Sequence, residues 1–346
     1  MRYYIKRNLL ALFIKFIQHR KVQLYLNDMM QCYNQSLPAL HNDSNPYFLV
    51  PQTNIATELR SDIVFISSRF RSGSTLLWNL FRQTDGFTSF YEPFNERRWF
   101  DSSQRGDQVD SSHRGVDDYW LEYDEIKYLD QFYDENWLRH QLLMTAKVFH
   151  PKMQSYINIL IEAASRRPVL QFNRVDFRLP WLRHNYPNAK LIHLYRHPRD
   201  QWCSFLTDPK AMSAQNVEKH YKDAFYLDVW CDDLAKHFPL LDKRITLHPY
   251  RRFYYLWKLS FLYGKTFADI SISFESLVRN TKEVLNNLFT NINAETSSID
   301  RLSQLIKAPK LERWKDYASE NWFAEHESIC ESNLTKLLAA DNPKLN

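Results

Sequence analysis

Two periods alternate along the chain. Short runs rich in β-branched and aromatic residues mark strands: Asp62 to Ile66, Phe87 to Tyr91, Val169 to Phe172, Lys190 to Tyr195 and Ile270 to Phe274. Apolar residues return at helical spacing between them. Leu76, Leu77, Leu80 and Phe81 follow the first strand, and Leu277, Val284, Leu285 and Leu288 follow the last. A helix is expected from about Arg199, and the stretch 124–166 also reads as helical. Strands alternating with helices predict an α/β fold: a mostly parallel central sheet flanked by helices in a three-layer arrangement. No Pro- or Gly-rich linker divides the 346 residues, so a single domain over 1–346 is expected.

Two segments fall outside this alternation. Residues 101–118, DSSQRGDQVDSSHRGVDD, are polar and hold two of the five glycines, the composition of a mobile loop. Residues 1–60 read as a helical N-terminal extension. Its apolar run, from Leu9 to Ile17, is interrupted by Lys15 and is too short to span a bilayer. It also lacks a small-residue cleavage site. Leu9, Leu10, Phe13 and Ile17 suit either a helix packed on the body of the protein or a basic helix lying on a membrane surface.

Composition narrows the function. Hydrophobic residues make up 44% and charged residues 25%, as in a soluble globular protein. A net charge of +5, without dense Lys/Arg runs, suits a small anionic ligand and argues against nucleic acid. Cys32, Cys203, Cys231 and Cys330 have neither CxxC spacing nor a His cluster. A reducing, cytoplasmic setting without zinc or a disulfide framework is expected.

The sharpest chemical signal is Ser67-Ser68-Arg69-Phe70-Arg71-Ser72-Gly73-Ser74-Thr75, which joins a buried strand to a helix. Backbone N–H groups at a helix start converge on an anion, and the helix dipole favours negative charge. Gly73 lets the main chain approach closely, Ser72, Ser74 and Thr75 add hydroxyls, and Arg71 adds a fixed charge. The same residues are equally compatible with a Ser/Thr-capped helix bearing surface arginines. The basic residue precedes the one glycine of this segment, so it is not the GxxxxGK[ST] loop of nucleotide triphosphatases. A second segment of related design, Leu191 to Ser204, delivers Arg196 at a strand's carboxyl end, with Pro198 at the helix start and Ser204 on the helix. Its plain alternative is Arg199 and Asp200 paired with nearby charges.

In order and form, the two segments resemble the 5′-phosphosulfate and 3′-phosphate sites of sulfotransferases that use 3′-phosphoadenosine-5′-phosphosulfate (PAPS). The Arg-bearing loop is more similar to the carbohydrate and tyrosyl-protein branches than to the cytosolic branch, which carries Lys. The resemblance implies a P-loop-like three-layer fold, in which Arg71 contacts the bridging and sulfonate oxygens and Ser72, Gly73, Ser74 and Thr75 cradle the 5′-phosphate. It further implies that Arg196 and Ser204 bind the 3′-phosphate. Ser273-Phe274-Glu275-Ser276-Leu277 departs from the family's Tyr-Glu-Asp-Leu strand end, and no ligand role is assigned to it. Ala308 to Lys315 is similar to a late basic–Trp segment, which places Arg313 within reach of the cofactor. The Gly-rich C-terminal segment of the cytosolic branch is absent.

Sulfonate transfer needs a base for the attacking hydroxyl and charge stabilisation for the leaving phosphate; it requires no metal in principle. Glu92, in Tyr-Glu-Pro-Phe at a strand end, matches the point where several sulfotransferase branches place a catalytic Glu. Its plain alternative is a strand-end carboxylate paired with Arg97 or Arg98. His113 is a second candidate base. The expected acceptor is a carbohydrate, glycolipid or phenol hydroxyl, with Trp120, Tyr123, Tyr128, Tyr133 and Trp137 as its wall, and adenosine 3′,5′-bisphosphate as the product nucleotide. Rival readings are a kinase with a degenerate phosphate loop, or a non-catalytic nucleotide-binding or membrane-peripheral protein on the same scaffold.

Overall fold

The computed structural model describes residues 60–111, 113–306 and 309–339, together with Phe16. All but Phe16 belong to the compact unit Gln52–Asn346. The proposed packing of Leu9, Leu10, Phe13 and Ile17 lies outside the described residues, as does Cys32. None of the described helices is long and apolar enough to cross a membrane.

Five strands form one sheet: β1 (Val64–Ser68), β2 (Phe87–Tyr91), β3 (Arg167–Phe172), β4 (Lys190–Tyr195) and β5 (Ile270–Ser273). Their order is β2-β3-β1-β4-β5, and every pairing is parallel. The central strand explains the layers. Successive side chains of a strand point to opposite faces, and β1 is buried throughout. Val64 and Ile66 pack with Leu77, Leu80, Phe81, Leu285 and Phe289 on one face. Ile63 and Phe65 pack with Leu160, Phe172, Tyr186, Leu259 and Tyr263 on the other. A strand apolar on both faces needs helices on both, so the α/β, three-layer expectation holds.

The helices used below are α1 (Ser74–Arg82), α2 (Pro151–Ala163), α3 (Pro198–Phe205), α4 (Pro249–Phe267), α5 (Phe274–Arg279), α6 (Thr281–Asn291) and α7 (Glu320–Ala339). Proline occupies the first turn of α2, α3 and α4, where its missing N–H costs nothing. Ser273 caps α5 by accepting from Ser276 N at 3.1 Å.

The strand expectations fall within a few residues of the observed ends. The helical expectation over 124–166 does not hold throughout. Regular α-helix there is confined to Leu129–Phe132 and Pro151–Ala163, with a 3₁₀ turn at Glu135–Leu138. Aromatic side chains hold the intervening chain: Tyr133, Trp137 and Tyr156 meet with ring centroids 5.4–5.9 Å apart. Residues 101–118 contain no helix or strand among those described, but they are anchored. Asn79 Nδ2 donates to Gly115 O at 3.1 Å, and Arg82 pairs with Asp118 at 2.8 Å and with Glu122 at 2.7 Å. This segment therefore lies along α1.

Candidate active site

In an all-parallel sheet the carboxyl ends share one edge. Here that edge carries Glu92 after β2, Asn173 and Arg174 after β3, the Arg69–Gly73 turn after β1, Arg196 after β4 and Phe274 after β5. The chain leaves β1 toward β2 on one side and leaves β4 toward β5 on the other. The crevice where open α/β sheets bind ligands therefore opens between β1 and β4.

The turn after β1 is closed from within. Ser72 Oγ donates to Arg69 O at 2.7 Å, and Ser72 is fully buried. Its hydroxyl is thus committed to loop shape. Arg69 is also internal, pairing with Asp176 at 2.6 Å and lying over Trp230. Gly73 is the N-cap of α1 at φ 91°, with no side-chain cap. This decides against the capped-helix alternative: the first amides of α1 have no intrahelical acceptor, and no side chain at the N-cap takes one up. A Cβ on Gly73 would collide with the Phe274 ring. Glycine is therefore required both for the backbone conformation and for the close approach of β5's end.

Arg71, itself at φ 64°, projects from this turn half-buried. Its Nε donates to Ser204 Oγ at 2.9 Å and to Ser204 O at 3.1 Å. Arg196 Nη1 donates to Arg71 O at 3.1 Å. The two sequence-predicted anion segments, about 125 residues apart in the chain, therefore meet in one cluster at the β1/β4 crevice. Arg196 is buried, its guanidinium 5.0 Å from the Phe274 ring centre, and its Nε has no hydrogen-bond partner. Burial lowers its pKa, the carboxylates of Asp200 and Glu275 oppose this, and the cations Arg313 and Arg71 add to it. Like charges held together in a desolvated crevice are what an anion site requires.

Arg313 reaches this region through a built turn. Asp200 accepts from Glu312 N at 2.8 Å and from Trp314 N at 3.2 Å, which fixes the 3₁₀ turn Arg313–Asp316 against α3. Arg199 takes the structural role foreseen for it: it pairs with Glu320 at 2.7 Å and Glu327 at 2.8 Å, clamping α7. Cys203 is buried nearby, and burial pushes its thiol up to about 12.

Thr75 Oγ1 lies 2.9 Å from Tyr91 Oη and 3.3 Å from His113 Nε2. His113 in turn meets Tyr119 Oη through Nδ1. Burial holds the His113 imidazole below its ordinary value, favouring the neutral ring. Asp110, on the same segment, lies 4.0 Å from Arg71 Nη1. The polar segment 101–118 thus brings two titratable groups to the loop.

Glu92 is 4% exposed and adopts φ 39°, strained for a non-glycine residue. Neither Arg97 nor Arg98 is its partner: Arg97 donates to Gln108 O and Arg98 pairs with Glu135. Glu92 Oε2 accepts from Asn95 Nδ2 at 2.8 Å and Arg174 Nη1 at 3.1 Å, and Oε1 accepts from Asn173 Nδ2. Burial raises its pKa, Arg174 opposes the rise most strongly, the nearby Glu96 carboxylate adds to it, and the hydrogen bond from Asn95 opposes it. One relay of hydrogen bonds connects it to the loop after β1, through Asn173 to Ser68.

Three of the five aromatic residues expected at the acceptor wall, Tyr123, Tyr133 and Trp137, are core residues. Trp120 is half-buried with Arg105 over its ring, and Tyr128 is exposed. The half-buried rings beside the loop are Phe70, Phe225 and Tyr226. Phe70 and Tyr226 stack with centroids 6.1 Å apart, Arg174 lies over both, and Arg71 lies over Phe225.

A parallel three-layer sheet with a phosphate-type turn after β1 and a cationic cluster in its switch crevice defines an α/β protein with a candidate anion site. The chain belongs to the sulfotransferase family: the Sulfotransferase family profile matches residues 63–298. That span includes every site residue above except Arg313. Among curated proteins none matches the sequence significantly. Solved structures to which it is similar include sulfotransferase STF9 from Mycobacterium avium, at 13% identity over 90% of this chain and 82% of that chain, TM-score 0.42. Mouse sulfotransferase SULT7A1 complexed with PAP is 11% identical over 81% of this chain and 88% of that chain, TM-score 0.39. Retinol dehydratase, in complex with androsterone and the inactive cofactor PAP, is 15% identical over 80% and 81%, TM-score 0.34.

Proposed function

We propose that this sulfotransferase moves a sulfonate group from PAPS to a hydroxyl of a carbohydrate or glycolipid, with Glu92 as general base. One observation carries the donor assignment: Arg71 contacts both members of the second anion segment, Ser204 through its hydroxyl and Arg196 through the Arg71 carbonyl. Two anion sites fused in one crevice suit a nucleotide phosphorylated at both ends. The amides of Ser74 and Thr75 at the start of α1 cradle the 5′-phosphate, and Arg196, Ser204 and Arg313 take the 3′-phosphate. Ser72 and Gly73 contribute by shaping the turn.

In the transfer step the acceptor oxygen attacks sulfur as the bond from sulfur to the 5′-phosphate oxygen breaks. The hydroxyl proton passes to Glu92, and the charge left on adenosine 3′,5′-bisphosphate is met by Arg71 and the α1 amides. β2 and β1 are two places apart, roughly 10 Å, so the acceptor sits above the end of β3, between Glu92 and the loop. Burial that raises the Glu92 pKa makes it a stronger base, and Arg174 opposes that rise in favour of the carboxylate form. Phe70, Phe225 and Tyr226, half-buried beside Arg71 and Arg174, bring apolar ring surface near this position, which suits the C–H groups of a sugar ring. The single-domain organisation and the cytoplasmic or membrane-peripheral setting are part of the same proposal.

Glu92→Gln keeps the shape of the site and removes the base. It is expected to lose at least 100-fold in release of the bisphosphate from PAPS across a panel of glycan, glycolipid and phenol acceptors, on the order of a general-base contribution. Its affinity for the bisphosphate should be unchanged. Normal turnover by this variant would remove Glu92 from the mechanism.

A further inference from the structure

The buried amide of Asn173 sits where three strands' ends meet. Its Oδ1 accepts from Ser68 Oγ at 2.9 Å and from Gln171 Nε2 at 2.9 Å. Gln171 Nε2 also donates to Ser68 Oγ at 3.2 Å. An amide's two ends differ: the carbonyl only accepts and the NH2 only donates. With two donors on Oδ1, the NH2 is forced toward β2, where it meets Glu92 Oε1. Flipping the amide would set carbonyl against carboxylate and leave the Gln171 donor facing another donor. Ser68, Gln171 and Asn173 are all at most 3% exposed, so water does not compete for these bonds. Ser68 is the last residue of β1 and opens the Arg69–Gly73 turn. The same amide therefore contacts the base of the anion loop and the carboxylate.

We propose that Asn173 is a positioning residue for sulfonate transfer: gripped by Ser68 and Gln171, its amide fixes the Glu92 carboxylate relative to the anion loop and holds it in the ionised, proton-accepting form. This rests on the reading of Glu92 as the base. The arrangement gives this deeply buried carboxylate a neutral donor on one oxygen and its cation on the other. Arg174 binds Oε2 and is shared with Glu96, at 2.6 Å. Asn173 supplies the opposite oxygen with a neutral donor, which favours the charged form without a second positive charge at that oxygen.

The test follows the ionisation of Glu92 directly, in the full-length protein. The infrared band of its protonated carboxyl group is identified by its loss in Glu92→Gln and titrated against pH. Asn173→Leu removes the donor at similar volume, and the midpoint is expected to rise by about one to two pH units, as loss of a hydrogen bond to a charged group implies. Ser68→Ala loosens the grip without touching Glu92, and a smaller rise in the same direction is expected. It also covers the case in which Asn173→Leu does not fold. Binding of adenosine 3′,5′-bisphosphate should persist in both, and the acid limb of PAPS turnover should move up with the midpoint. Loss of turnover in Glu92→Gln together with an unmoved midpoint in the folded variants overturns the positioning role alone. Normal turnover in Glu92→Gln overturns the base and this inference with it.

Discussion

At Gly73 two demands coincide in one residue. Its φ of 91° disfavours any side chain, and a Cβ there would strike the Phe274 ring. Gly73→Ala is expected to cost roughly 1–3 kcal/mol for the backbone strain alone, with the ring contact adding to it. The variant should show a lower thermal midpoint and weaker bisphosphate binding. In Gly73→Ala/Phe274→Ala the contact is gone and the strain remains, so the double variant is expected to lose less than the sum of the two single variants. Full stability in the single variant would show that the turn relaxes freely. Legibility in the sequence follows the same division between local and distant causes. Arg71, Gly73 and Arg196 are visible because strand, turn and helix signals flank them within a few residues. Glu92 is visible because a carboxylate beside Pro93 ends a strand. Asn173 is not visible: its contacts with Ser68 and Glu92 span 105 and 81 residues, and no local pattern encodes them. Phe274 was visible only as a departure from a family pattern. Its role comes from packing on Gly73 and Arg196.

The elements that bring distant segments to the sheet edge depend on a few buried anchors. Asp200, in the first turn of α3, accepts two amides of the Glu312–Asp316 turn. Asp200→Ala leaves both without their acceptor, and a loss of about 1–3 kcal/mol is expected per buried group left unsatisfied. Arg313 loses its placement as well, so affinity for the bisphosphate should fall more than affinity for adenosine 5′-monophosphate. An equal fall for both nucleotides would show that Arg313 does not serve the 3′-phosphate. The stretch 119–148 shows why element-scale reading fails in aromatic-rich chain. Tyr123, Tyr133 and Trp137 satisfy a helical pattern and an acceptor wall equally well on paper. Their burial decides for the core, where hydrogen bonds such as Tyr123 Oη to Tyr91 O at 2.9 Å hold irregular backbone in place.

The whole molecule carries an acid weakness in its central sheet. His193 on β4 is 2% exposed, packed on Gly264 of α4, and burial pushes its imidazole down to about 4, with Lys265 acting in the same direction. An unfolded histidine titrates near 6.5. Between about pH 6.5 and 4 the unfolded chain therefore binds a proton that the folded chain refuses. Stability is full above pH 6.5 and falls as pH drops toward 4, by roughly 3 kcal/mol from this group. Denaturant unfolding at pH 7.5 and 4.5 tests this: His193→Gln should lessen the difference between the two, and an undiminished difference would clear His193.

The central claim is that one crevice binds a nucleotide at two phosphates. A ligand that binds only the folded state raises the unfolding temperature. Thermal unfolding with adenosine 3′,5′-bisphosphate, adenosine 5′-monophosphate and ATP–Mg²⁺ at equal concentration asks the question directly. Strong stabilisation by the bisphosphate, little by the monophosphate and loss of the difference in Arg196→Ala are predicted. Stabilisation by ATP–Mg²⁺ without a response to the bisphosphate would contradict the account.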